Sequence, residues 1–142
     1  MKPMRYLLIL LALMGVIVSA LALRVHLSTD TAPCSINEKW DCGVVNRSPF
    51  AEIEHVPVAA LGIAGYLALG ALAFLRRRYT FFLVVLCGLG FALRLTFIEE
   101  FALGVWCLYC VISQGVIALM TLLGLVWFTA EHLALKRAQK PA

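Results

Sequence analysis

The chain has 142 residues, of which 63% are hydrophobic and 14% charged, with a formal net charge of +4 and a mean hydropathy of +0.94. Soluble domains run near half apolar and about a quarter charged, so a water-soluble fold, an intrinsically disordered chain and a nucleic-acid binder are all excluded. The composition is that of a protein built inside a bilayer.

Four apolar stretches follow one another, and the fold class they predict is all-α: an integral membrane four-helix bundle forming one domain over residues 1–142. About 20 helical residues cover a hydrocarbon core of about 30 Å, and only helices satisfy the backbone there without neighbouring strands. The first span is Tyr6 to Leu23, free of charge. Lys2 and Arg5 before it and Ala20-Leu21-Ala22 near its end also resemble a signal peptide with a small-residue cleavage site, although the apolar run is longer than such segments usually are. A long loop, Arg24 to Pro57, comes next; within it Ser48-Pro49 reads as a helix start, with Ser48 capping. The second span is Val58 to Leu75, with Ala60, Ala64 and Ala68 spaced for close helix contact. The third, Tyr79 to Ile98, is interrupted only by Arg94, which lies within snorkelling or pairing reach of Glu99 and Glu100. Phe101 to Phe128 is too long for one crossing, so the fourth span is placed at 107–128, and the residues before Cys107 lie at an interface.

Charge counting sets the orientation. With both termini inside, the inner face holds eight basic residues, namely Lys2, Arg5, Arg76, Arg77, Arg78, Lys136, Arg137 and Lys140. The outer face holds three, Arg24, Lys39 and Arg47, beside seven of the eight acids. Every connection then obeys the positive-inside rule.

On that topology Cys34 and Cys42, spaced C-x7-C in the long loop, and the C-x-x-C pair Cys107 and Cys110 share one outer compartment. In bacteria this is the periplasmic side of the cytoplasmic membrane, where disulfides form and persist. Two dithiols, one on a loop and one at a helix start, have the form of a thiol–disulfide relay. The pattern also suits two structural staples, although a C-x-x-C bridge closes too short a loop to stabilise much. No metal site is expected, since C-x7-C is wider than zinc-knuckle spacing, and c-type haem is excluded because Val111 stands where the motif needs histidine. Cys87, alone in the third span, reads as a core residue, and His26 and His55 as solvated loop residues. Cys110 and Gln114 fall on one helix face with Cys107, a place where an amide either glues helices together or hydrogen-bonds a lipid-soluble acceptor such as a quinone. Arg94 is the second candidate at such a site.

The order Cys34-x7-Cys42, Ser48, Val56-Pro57-x4-Gly62-x3-Tyr66 and Cys107-Leu-Tyr-Cys110 resembles the vitamin K epoxide reductase family in its bacterial, quinone-linked form. The DsbB family of quinone-linked oxidases instead carries its C-x-x-C in the first outer loop. The resemblance implies that Cys34 exchanges with a redox partner, that Cys42 shuttles onto Cys107, and that Cys110 faces ubiquinone or menaquinone. It also implies that Ser48 matches the family's loop Ser/Thr near the active centre. Vertebrate members carry Tyr at the place of Gln114 and Asn near Val58, which favours quinone over epoxide as the acceptor here. No thioredoxin-like domain follows the fourth span, so the implied partner is a separate thioredoxin-fold, DsbA-like protein. The expected activity is that of a membrane thiol oxidoreductase. An epoxide or quinone reductase proper, a disulfide-stapled scaffold and a small transporter are the rivals, the last disfavoured because no acid lies within a span.

Overall fold

In the computed structural model, which describes residues 2–27 and 37–141, the chain is a helical bundle with a small cap at one end. Helix α1 (Lys2–Leu27) is followed in the cap by α2 (Cys42–Asn46), a 3-10 turn (Pro49–Ala51) and a hairpin of β1 (Glu52–Ile53) and β2 (Val56–Pro57). Then come α3 (Val58–Phe74), α4 (Arg78–Ile98), a π-helical extension (Glu99–Leu103) and α5 (Leu108–Gln139). Among the described residues, three helical segments are long and apolar enough to cross a membrane, and α3 is a shorter apolar helix beside them. Together these make the chain a multi-pass membrane protein.

Element ends depart from the sequence reading at both termini. Helix α1 continues past Leu23 to Leu27, and α5 continues past Phe128 to Gln139. The first charges past each apolar run mark the end of the greasy stretch, not of the helix, because Glu, Lys, Arg and Gln are good helix formers.

Packing is led by α1, which lies along α3 and α5, while α4 lies mainly along α5. Hydrocarbon offers helices no hydrophobic drive to associate, so close contact of small groups has to hold the bundle. The glycines carry it: a Cβ on Gly15 would sit 2.3 Å from the Tyr66 ring, and one on Gly62 would sit 2.9 Å from the Ser19 hydroxyl. Ala64 and Ala68, expected at the contact, face outward. The core of the half away from the cap gathers Leu8, Ala73, Phe81, Val85 and Met120, all fully buried. Trp127 is buried as well and donates its indole N–H to Glu131 at 2.7 Å. Glu131 also pairs with Arg78 at 3.0 Å, locking α4 to α5 at the end away from the cap. Cys87 lies on the exposed face of α4 and is not a core residue.

A second, smaller core of Val25, Cys42, Val45 and Cys107 sits under the cap. Between Ile53 and Val56 the hairpin turns through Glu54 and His55, both at positive φ, as a two-residue turn between right-twisted strands requires.

Candidate active site

The cap is fastened to the bundle by main-chain atoms. Trp40 and Trp106 form an isolated parallel bridge in which the Asp41 N–H donates to Trp106 O at 3.0 Å and the Trp106 N–H donates to Lys39 O at 2.7 Å. Asp41 then caps α2, its carboxylate accepting the N–H groups of Gly43 at 2.9 Å and Val44 at 3.2 Å. Its successor Cys42 therefore enters α2 directly above the start of α5. On the far side of the cap, His26 in the last turn of α1 bonds the Asn46 carbonyl through Nδ1 and the Glu52 carboxylate at 3.1 Å through Nε2. His26 is thus a strut between α1 and the cap rather than a solvated residue, whereas His55 stays exposed.

This fastening brings Cys42 Sγ to 3.1 Å from Cys107 Sγ, both side chains fully buried. Cys42 is disulfide-bonded to a partner outside the described residues, while Cys107 and Cys110 are free thiols. Cys34 lies outside the described residues. Cys107 occupies the N-cap of α5, one step before the first turn, and its sulfur accepts the Cys110 N–H at 3.4 Å. The Asn46 side-chain amide donates to the same sulfur at 3.3 Å and to the Cys42 carbonyl at 2.9 Å. The Cys110 thiol foremost, then the Cys110 N–H and the Asn46 amide, hold the Cys107 thiol below its ordinary range, against burial and the charge of Glu99.

Below the sulfurs lies a cavity of about 200 Å³ lined by α1, α3, α4, α5 and the cap. Its wall is mostly aliphatic, with Cys110, Gln114, Ser113, Tyr66 and Glu99 supplying polar groups. Tyr66 donates its hydroxyl to the Ser113 carbonyl at 2.8 Å, its ring seated against Gly15. Gln114 accepts a hydrogen bond from Thr96 of α4, so this amide joins two helices and lines the cavity at once. Ser48 precedes the 3-10 turn and borders the cavity, but its hydroxyl donates back to the Val45 carbonyl at 2.8 Å and does not cap. Arg94 is not brought to the site: it is exposed on α4, is not part of the cavity wall, and forms no ion pair with Glu99 or Glu100 among the described residues.

Two residues at the site escape a reading by motif. Asn46 follows Cys42 by one helical turn, a spacing visible in the sequence, yet the sulfur it serves is 61 residues away. Glu99 follows α4 as one of two adjacent acids and reads only as a pairing partner for Arg94; in the fold it is 3% exposed and accepts the Cys107 N–H at 3.2 Å.

The residues present fit a lipid-soluble quinone: a mostly apolar cavity enclosed by α1, α3, α4, α5 and the cap carries hydroxyl and amide groups and the Cys110 thiol on its wall. Comparison with curated proteins returns no match. The family model described as "Vitamin K epoxide reductase family" matches residues 6–131, nearly the whole bundle and its cap. With Cys42 of the cap docked on a C-x-x-C helix above an apolar cavity, and with that match, the chain belongs to the vitamin K epoxide reductase family.

Proposed function

We propose that this protein oxidises a separate thioredoxin-fold, DsbA-like partner on the periplasmic side of a bacterial cytoplasmic membrane and passes the electrons to ubiquinone or menaquinone. Family membership makes it a membrane oxidoreductase joining thiol–disulfide chemistry to quinones; the partner, direction and compartment are our reading. In it the chain is one membrane domain of four spans with both termini cytoplasmic.

The 3.1 Å approach of Cys42 Sγ to Cys107 Sγ carries the proposal. The partner's dithiol reduces the Cys34–Cys42 disulfide and leaves as a disulfide. The Cys42 thiolate attacks Cys107 of the Cys107–Cys110 disulfide, releasing the Cys110 sulfur. Cys34 then resolves the Cys42–Cys107 bond, restoring the loop disulfide and leaving Cys107 and Cys110 reduced. A disulfide at Cys42 beside free Cys107 and Cys110 corresponds to the state after that resolution. When bound, quinone supplies the sink for two electrons and two protons. The chain's own part is to hold Cys110 at the mouth of the cavity, to keep water out with the cap, and to offer Gln114, Tyr66 and Ser113 as polar contacts. Ser48, beside the cap helix, steadies the cap above it.

The test mixes purified protein with excess quinone under anaerobic conditions and follows quinone absorbance. Cys107→Ala and Cys110→Ala abolish quinone reduction with every reductant. Cys34→Ala and Cys42→Ala lose reduction by the protein partner but retain more of the reduction by dithiothreitol. Equal losses with both reductants would rule out the two-stage relay.

A further inference from the structure

Glu99 is a carboxylate in an unusual place. It is 3% exposed and is the only charged residue among those lining the cavity. No cation pairs with it among the described residues. A buried charge without a counter-ion is costly, so such a group persists where it has a task or a full set of donors. One donor is the Cys107 N–H at 3.2 Å. The other neighbour is the Cys110 thiol, which lines the same cavity one helical turn beyond that N–H and interacts electrostatically with the carboxylate. The π-helical turn starting at Glu99 sets this geometry by widening the end of α4, and Gly104, at φ 68, closes that turn before the chain rises to Cys107.

Cys110 must lose a proton before the dithiol can close into a disulfide, and the cavity it faces is mostly aliphatic. We propose that Glu99 is the proton acceptor for the Cys110 thiol during oxidation of the Cys107–Cys110 pair. The proposal rests on the C-x-x-C being redox-active, as in the function above, but not on the identity of its oxidant. In the step, the Cys110 S–H bond breaks and its proton moves to a Glu99 oxygen. The S–S bond to Cys107, already ionised, forms. The electron pair leaves for a two-electron acceptor of the quinone class, and the Glu99 proton follows to that acceptor or to the outer water. The Cys107 N–H holds the carboxylate in place, so the helix start that carries one sulfur also orients the base that serves the other.

The substitution Glu99→Gln separates the two tasks, because the amide oxygen still accepts the Cys107 N–H but takes no proton, whereas Glu99→Ala removes both. The readout is Cys107–Cys110 disulfide formation by diamide in quinone-free protein, followed by thiol trapping and mass spectrometry. Both variants slow this oxidation by at least about tenfold, the low end for loss of a positioned base being about a hundredfold. Glu99→Asp, which keeps a carboxylate one methylene short, falls between them and the unaltered protein. Oxidation at the unaltered rate in Glu99→Gln, with only Glu99→Ala slowed, overturns the proposal and leaves the carboxylate as a simple anchor for an N–H. If Glu99→Gln does not fold, the unaltered protein carries the test: slower diamide oxidation in D2O supports a proton in flight, and equal rates overturn it. Failure of the unaltered protein to reduce any quinone, with the diamide pattern intact, would sink the relay to quinone and uphold the role of Glu99.

Discussion

A sulfur that hands electrons to a neighbour has to be both reachable and ionised, and Cys107 gets the second property from short contacts. Asn46 is the one contributor that can be removed without touching a cysteine. Asn46→Ala deletes a hydrogen bond to a charged sulfur, worth about 1.5 kcal/mol, so the Cys107 ionisation midpoint moves up by about one pH unit. Thiolate ultraviolet absorbance against pH, with Cys107→Ser as the blank, reads it. The sign follows from the native thiol lying below its ordinary range. Folding favours the ionised form, so this contribution to stability is complete above the ordinary thiol range and is lost as pH falls through the lowered midpoint. At this scale the cysteines were legible because their chemistry is carried by identity and short spacing. Asn46 and Glu99 were not, since each acquires its role from a residue that the fold supplies, Asn46 from across the cap and Glu99 from beyond a π turn.

Among the helices, what the sequence shows well is hydrophobic length, and what it shows poorly is which side faces a neighbour. Spans that are apolar all round carry no stripe, so the alanine series in α3 pointed outward while Gly15 and Gly62, less regular, took the contacts. Gly15→Ala therefore drives a methyl into the Tyr66 ring and pushes α1 from α3. Overpacking of this kind costs about 1–3 kcal/mol, and thermal unfolding in detergent reads it as a lower midpoint. A control at Gly65, where a Cβ meets nothing within 4 Å, leaves the midpoint close to that of the unaltered protein. In the fourth apolar stretch a helix begins just after Cys107, where the sequence reading starts the span, and the residues from Phe101 to Leu103 continue α4 as a π-helical turn. Its far end was misjudged because the amphipathic turns beyond Phe128 mix charges with helix formers.

For the molecule as a whole, the asymmetry of basic residues gives a direct expectation. Arg76, Arg77 and Arg78 lie at the α3–α4 turn, at the same end as Lys2 and Arg5, and pack near Glu131 of α5. A fluorescent protein fused after Ala142 therefore fluoresces in bacterial cells, and alkaline phosphatase fused there is inactive. The reverse pattern would place the cysteine cap in the cytosol, where glutathione keeps thiols reduced, and would remove the rationale for a disulfide-forming relay. The apolar helical bundle was readable because a bilayer imposes a length rule on every crossing. The cavity was not, because residues from four helices and the cap, far apart in the sequence, come together to line it.

The clasp between Trp40 and Trp106 has an evolutionary corollary. Its hydrogen bonds use peptide atoms of Lys39, Asp41 and Trp106, which every residue but proline provides in full. Side chains along the lid are thus free to diversify for new thiol clients while its seating above the helix start endures. Recognition and docking are written in different parts of the same polymer, and the first can drift without unmooring the second.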